Sequence, residues 1–210
     1  KDNAENFFDL LVQNKVTFFK SKNFEKDTVS LSDAISDLLQ SHGTKESPDT
    51  KNFRAGIYAK ATTSYQKLMR KDKNLTKKVA SSHRFANHKK ETIEKFQYIL
   101  EFGRANKNIS DEIKAKYNIK KRTVVPLCSN SPTPTLTTLP DDYIHYCEPR
   151  ILTVREYARI QSFPDSYEFK GGYTTGGDRR KSDVPRYTQI GNAIPPLFAE
   201  QAGLVLKDMI

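Results

Sequence analysis

A chain of 210 residues, 36% of them hydrophobic and 29% charged, has room for one moderate domain or one domain with an appendage. Its 12 Phe and 10 Tyr can supply a core, and acidic residues are mixed among the lysines, which excludes a disordered tail of single sign. The net charge of +10 fits a polyanionic partner such as nucleic acid, although a lysine-rich composition alone gives the same excess.

Residues 1–43 open with an apolar stretch, Phe7 to Val12. The β-branched and aromatic run Val16-Thr17-Phe18-Phe19 then predicts a strand. A short helix follows, with Ser32 as N-cap, Ala34, Ile35, Leu38 and Leu39 on one apolar face, and Gly43 as the stop. Residues 44–53 predict a loop. Between 54 and 125 the chain is basic with interspersed aromatics. Its clearest helix runs from a cap at Asn87 to Gly103, with Ile93, Phe96, Ile99 and Leu100 at helical spacing. A second helix spans Ser110 to Tyr117, and Thr123-Val124-Val125 predicts a strand.

Nine of the ten prolines lie at or beyond Pro126. The stretch Pro132 to Pro140 alternates Thr with apolar residues and predicts extended chain or an edge strand. Thr153-Val154-Arg155-Glu156 has the spacing of a capping box that opens a helix, and Pro164-Asp165 stops it. Residues 170–183 contain Gly171, Gly172, Gly176 and Gly177 and predict a flexible connector. The last helix starts at Pro195-Pro196, with Ile194, Phe198, Ala202, Val205, Leu206 and Met209 as its apolar stripe.

Cys128 and Cys147 show no CxxC spacing, so neither a metal site nor a disulfide scaffold is expected and a reducing cytoplasm is. No run approaches the roughly 18 apolar residues that span a bilayer. The first residues lack the apolar core of a signal peptide. A start at Lys1 without an initiator Met predicts a processed or excised piece.

Two late segments carry a resemblance. Arg150 to Asp165, centred on Thr153-Val154-Arg155-Glu156-Tyr157-Ala158-Arg159-Ile160-Gln161, resembles the ninth conserved motif of cytosine-5 DNA methyltransferases. Tyr187-Thr188-Gln189-Ile190-Gly191-Asn192-Ala193-Ile194-Pro195-Pro196 resembles the tenth, in the family's order and separation. Thr135-Leu136 resembles a pair that recurs at the end of the family's recognition region, and Leu31 to Leu38 resembles the chain just past its eighth motif.

For Thr153, Arg155, Glu156 and Arg159, helix capping and ion pairing account for the residue types, and the resemblance implies the same structural role. Local chemistry leaves Gly191-Asn192 open between a plain turn and the polar edge of a ligand site. The resemblance implies the second: Gly191, Asn192 and Ala193 beside S-adenosylmethionine, with the following helix packed on the catalytic domain. Thr135 can hydrogen-bond a phosphate, a base edge or only water; the resemblance implies contact near a flipped cytosine, with Leu136 beside it. Lys67, Arg70, Lys120, Lys121, Arg122, Arg179 and Arg180, and with them Lys77, Lys78 and Arg84, are candidates for phosphate neutralisation or plain solvated charges.

The implied fold is α+β. An irregular mixed target-recognition domain spans 1–170 with the ninth-motif helix at 153–162, residues 171–184 are a flexible connector, and residues 185–210 form a turn and amphipathic helix for a Rossmann-like catalytic domain outside this sequence. The family's reaction draws its thiolate from a Pro-Cys pair, a carboxylate from Glu-Asn-Val, an arginine from Gln-X-Arg-X-Arg and its cofactor loop from Phe-X-Gly-X-Gly. None of these occurs here: Cys128 follows Leu127, Cys147 follows Tyr146, and Glu5-Asn6-Phe7 is a superficial echo. The expectation is a DNA-recognition portion, inactive alone, that acts on double-stranded DNA with an amino-terminal catalytic half, in the bacterial cytoplasm and within a restriction-modification system. The alternatives are a stand-alone, catalytically inactive, sequence-specific DNA-binding module and an interaction domain with no DNA partner.

Overall fold

The computed structural model describes residues 2–71, 78–174 and 183–209. The chain opens with a 20-residue helix, α1 (Asp2–Ser21). The strand expected at 16–19 is therefore overturned. Leu11, Asn14 and Phe18 fall on one helical face turned towards the body, and Phe18 is buried. Local β-propensity at Val16-Thr17 loses to packing against a distant partner, since strand preference is set largely by neighbours. That partner is the last helix, α8 (Pro196–Asp208), which lies on α1. The Gln201 amide donates to the Leu11 carbonyl at 2.8 Å, and Lys22 pairs with Glu200. Proline opens α8 as expected. Of the apolar stripe, Val205 faces inward together with Gln201, while Ile194, Phe198 and Leu206 face solvent.

The main core gathers around α2 (Leu31–Ile35), α3 (Ser64–Met69), α6 (Val154–Ile160) and α7 (Arg186–Gly191). The cap of α2 is Ser30, in a capping box with Asp33, rather than Ser32. Leu31, Ala34, Ile35 and Leu38 are buried, and the helix breaks into two short 3-10 turns before Gly43, whose φ of +108° suits glycine.

A three-stranded antiparallel sheet, β1 (Thr44–Glu46), β2 (Arg54–Ile57) and β3 (Val79–Arg84), covers this core. The loop expected at 44–53 thus contains a strand, whose polar residues give no alternation but pair with β2. Ala55 pairs with Arg84 and Ile57 with Val79, so β3 bulges between them, and Ser82 sits at φ +62° inside the bulge. The bulge turns His83 inward. A Cβ on Gly56 would lie 2.3 Å from the His83 ring, so only glycine fits beside it.

A second cluster joins α4 (Lys90–Phe102), α5 (Asp111–Lys116) and Ile144 through Phe96, Ile99, Ile109, Ile113 and Val124. Both helices were legible from their spacing, and Ser110 caps α5. Asn87 does not cap α4: the N-cap is Lys89, and the Asn87 amide donates to Asn52 instead. The strand expected at 123–125 is β4 (Val125–Pro126), parallel to β5 (Tyr143–Ile144). Residues 132–139 run extended without a regular ladder.

Candidate functional site

The ninth-motif helix α6 sits in the centre of the main core, with Val154 to Arg159 all buried. Its capping box forms: Thr153 Oγ1 accepts the Glu156 amide at 3.2 Å, and Glu156 accepts the Thr153 amide at 2.7 Å. Glu156 also takes a bidentate pair from Arg150, both at 2.7 Å. Burial raises its carboxyl, but the Arg150 charge and hydrogen bonds outweigh that and hold it near 2. Two buried histidines complete the cluster. His83 Nε2 lies 2.8 Å from the Leu38 carbonyl, which can only accept, so the ring's proton is on Nε2 and Nδ1 accepts from Thr153 Oγ1 at 2.8 Å. His145 Nδ1 accepts the amides of Cys147 and Glu148, leaving its Nε2 proton facing Glu156 at 3.7 Å. Burial pushes His83 down to about 4, and burial with the Arg150 charge pushes His145 down to about 3.

The opposite side of α6 carries a second buried network. Arg159 donates to both Asp165 oxygens, at 2.6 and 2.8 Å, to both Asp37 oxygens and to the Ala34 carbonyl. Every donor of its guanidinium is used, which is what a buried arginine requires. Arg155 donates to the carbonyls of Ser81, Pro164 and Tyr167 and so ties β3 to the loop after α6. Tyr58 donates to Asp165. These two arginines are fully buried braces between elements.

The tenth-motif turn lies between two helices. Gly191 ends α7 and Asn192 is its C-cap, three residues before Pro195, the N-cap of α8. A Cβ on Gly191 would lie 2.6 Å from the Thr137 carbonyl. The close approach that glycine permits is therefore to the chain's own backbone. That contact docks the extended segment beside the turn, and a cleft of about 390 Å³ results, lined by Thr133 to Leu136, Ile160, Gln161, Gly191, Ala193 and Pro195. Thr135 is exposed there, and its carbonyl is fixed by the Tyr143 hydroxyl at 2.6 Å. Leu136 is buried in the main core. The Asn192 side chain is exposed and accepts or donates no hydrogen bond among the described residues, while Ala193 packs on the core.

The basic candidates are scattered. Lys67, Lys120 and Arg122 are exposed. Lys121 lies 2.7 and 2.8 Å from Asp141 and Asp142. Arg70 pairs with buried Asp37, donates to the Ala59 carbonyl and covers the Tyr58 ring. Lys77, Arg179 and Arg180 lie outside the described residues. Hydrogen bonds at Ser131 and Asn130 lower the Cys128 thiol, and burial raises the Cys147 thiol. Among the described residues, no group of three or more His, Cys, Asp or Glu is placed to hold a metal ion. No described helix is long and apolar enough to cross a membrane.

Comparison with known proteins decides between families. Residues 7–208 match the model of the C-5 cytosine-specific DNA methylases. The chain belongs to that family. Among its curated relatives, the Type II methyltransferase M.AquIB of Picosynechococcus is 33% identical over 131 residues, covering 61% of this chain and 88% of that protein. The Type II methyltransferase M.DdeI of Desulfomicrobium norvegicum is 31% identical over 194 residues, covering 86% of this chain but 43% of that protein. A solved E. coli structure, described as a DNA modification methyltransferase encoded within a prophage, shares the fold with a TM-score of 0.56 at 20% identity. The match covers 88% of this chain and 48% of that one. The chain thus spans under half the length of two of these relatives and most of the length of the other.

The sequence pointed to Thr153, Glu156, Arg155 and Arg159 but not to Arg150, Asp165, Asp37, His83 and His145 as their partners. Asp165 was findable, because a helix with two interior arginines needs a carboxylate nearby. Asp37 and His83 come from remote segments, and nothing local announces them.

Proposed function

We propose that this chain is the target-recognition portion of a cytosine-5 DNA methyltransferase. It acts in a restriction-modification system with an amino-terminal half that carries the cysteine and the cofactor loop. The observation that carries the reading is the cleft in which exposed Thr135, from the recognition segment, meets Gly191 and Ala193 of the tenth-motif turn, with the exposed Asn192 between them in sequence. Thr135 offers a hydroxyl to a phosphate or base edge from a backbone already fixed by Tyr143. S-adenosylmethionine, when bound, supplies the methyl group. The residues here suit one edge of its site and no more: the unpartnered Asn192 amide is the group that would hold it, while the space beside Gly191 is taken up by Thr137.

The apolar residues that α1 and α8 turn outward support a partner surface. Phe8, Val12, Ile194, Phe198 and Leu206 are exposed, and a groove of about 410 Å³ lined by Phe18, Phe24, Leu197 and Phe198 opens between the helices. We assign this surface to the amino-terminal half, because two relatives are more than twice as long as the region they share with this chain. In that assignment Tyr187 and Ile190 anchor α7 here, and the exposed side of α8 faces the catalytic domain.

Mixing this chain with the amino-terminal half of such an enzyme, and following tritiated methyl transfer to cytosine in duplex DNA, tests the reading. Activity is expected from the mixture and from neither piece. Persistent inactivity together with tight, sequence-specific DNA binding would favour the stand-alone module instead.

A further inference from the structure

Arg84 ends β3 beside the bulge, and its guanidinium carbon lies 4.0 Å from the Phe53 ring centroid and 3.8 Å from that of Tyr173. The Tyr173 ring also meets Arg186, at 4.3 Å. The two cations are treated differently. Arg186 is neutralised by Asp49 at 2.7 Å and donates to Ser82 Oγ and the Gly171 carbonyl. Arg84 has neither a salt bridge nor a hydrogen bond among the described residues, and its Nε is buried without a partner. A half-buried guanidinium left without an acceptor is costly. The Phe53 and Tyr173 rings flank the guanidinium, and its two terminal amino groups, which are not buried as Nε is, remain to bind phosphate oxygens in bidentate fashion.

Arg186, which meets the other partner ring of Arg84, also lines a recess of about 630 Å³ with Lys45, Asp49, Lys78, Glu168 and Lys170. Lys170 pairs with Glu168 and Arg186 with Asp49, so the carboxylates there are answered. Lys45 and Lys78 are exposed and form no ion pair among the described residues. The unanswered charge on this face is thus cationic.

We propose that Arg84, together with Lys78 and Lys45, is a phosphate-binding site that grips the DNA backbone on the β3 face, away from the Thr135 cleft. That the phosphate belongs to DNA rests on the function proposed above. The stack fixes the guanidinium in advance, so little side-chain freedom is lost on binding.

The test is duplex DNA binding by the full chain, followed by fluorescence anisotropy over a range of salt. Arg84→Gln is expected to weaken binding about tenfold and to reduce the slope of log affinity against log salt by about one. Arg84→Lys is expected to keep the slope and lose part of the affinity, because an ammonium cannot stack flat or bind through a two-pronged edge. The exposed pair Lys45→Gln/Lys78→Gln, which leaves the stack intact, is expected to lower the slope as well. This pair keeps the test valid if Arg84→Gln fails to fold. Wild-type affinity and slope in the paired variant, or in a folded Arg84→Gln, would overturn the site. Inorganic phosphate that raises the melting temperature of the wild type but not of Arg84→Gln, with DNA affinity unchanged between them, would overturn DNA as its source. A wild-type chain that shows no salt-dependent DNA binding sinks the parent reading, and the DNA assignment with it.

Discussion

At Glu156 three requirements meet in one carboxylate: it caps α6, neutralises Arg150 at two oxygens and faces the Nε2 proton of His145. Glu156→Gln keeps the shape but leaves the Arg150 charge buried against only Glu148. Breaking a buried pair from one side costs about 3–5 kcal/mol, so the midpoint of urea unfolding should fall sharply. Thr153→Ala removes the cap acceptor and the hydroxyl that serves His83, and should cost about 1–2 kcal/mol on the same measurement. The histidines add a pH dependence with a definite sign. His83 and His145 fold as neutral rings with pKa values of about 4 and about 3, against 6.5 when exposed. Their stabilisation is whole above pH 6.5 and declines as the pH falls towards 4, since only the unfolded chain takes up the protons in that window. Urea midpoints measured from pH 7 to pH 5 should decrease, and a flat profile would contradict the burial of the two rings in neutral form.

Among the elements, the ones with a complete local signal were readable in advance. The α4 periodicity, the Ser110 cap of α5, the α6 capping box and the proline start of α8 are each stated by neighbours within one or two turns. The misread elements are those whose partner is remote. Val16 to Phe19 has the composition of a strand and becomes helix because Phe18 packs in a groove shared with α8. The three-stranded sheet was not predicted at all, since β1 is polar and β3 is bulged, so neither shows a clean alternation. Gly191 belongs at this scale too. Gly191→Ala would place a methyl 2.6 Å from the Thr137 carbonyl and push the extended segment off α7. A loss of about 1–3 kcal/mol is expected, as for other overpacked sites. The melting temperature reads that loss, and the reconstituted methyl transfer should fall with it if the cleft is functional.

Over the whole molecule, two buried networks on opposite sides of α6 hold distant segments of the chain to one another. Arg159 joins the Asp37 turn to the Asp165 loop, and Arg155 joins β3 to the chain beyond α6. Because these links connect segments far apart in the chain, the main core should unfold as one cooperative unit. Arg159→Met would leave Asp37 and Asp165 without their shared cation, and the transition should move to lower urea by several kcal/mol in free energy. Near-UV circular dichroism and intrinsic tyrosine fluorescence should report the same midpoint; separate transitions would refute a single unit. The apolar face of α1 and α8 sets a different expectation: addition of the amino-terminal half should protect it, most simply read as loss of binding of a hydrophobic dye.

By itself the sequence determined the family, through the two late motifs, and the helices whose caps and periodicity are local. It also determined that the sequence contains no Pro-Cys nucleophile. Only the tertiary structure decided which charges are braces and which are free. Arg70, Arg84, Arg155 and Arg159 are alike as letters, yet Asp37 and Asp165 answer the charge of Arg159 and Asp37 that of Arg70, carbonyls fix Arg155, and two aromatic rings hold Arg84 without an acceptor. The reason is physical: capping and periodicity act over a few residues, whereas the partner of a buried charge is fixed by how distant segments fold together.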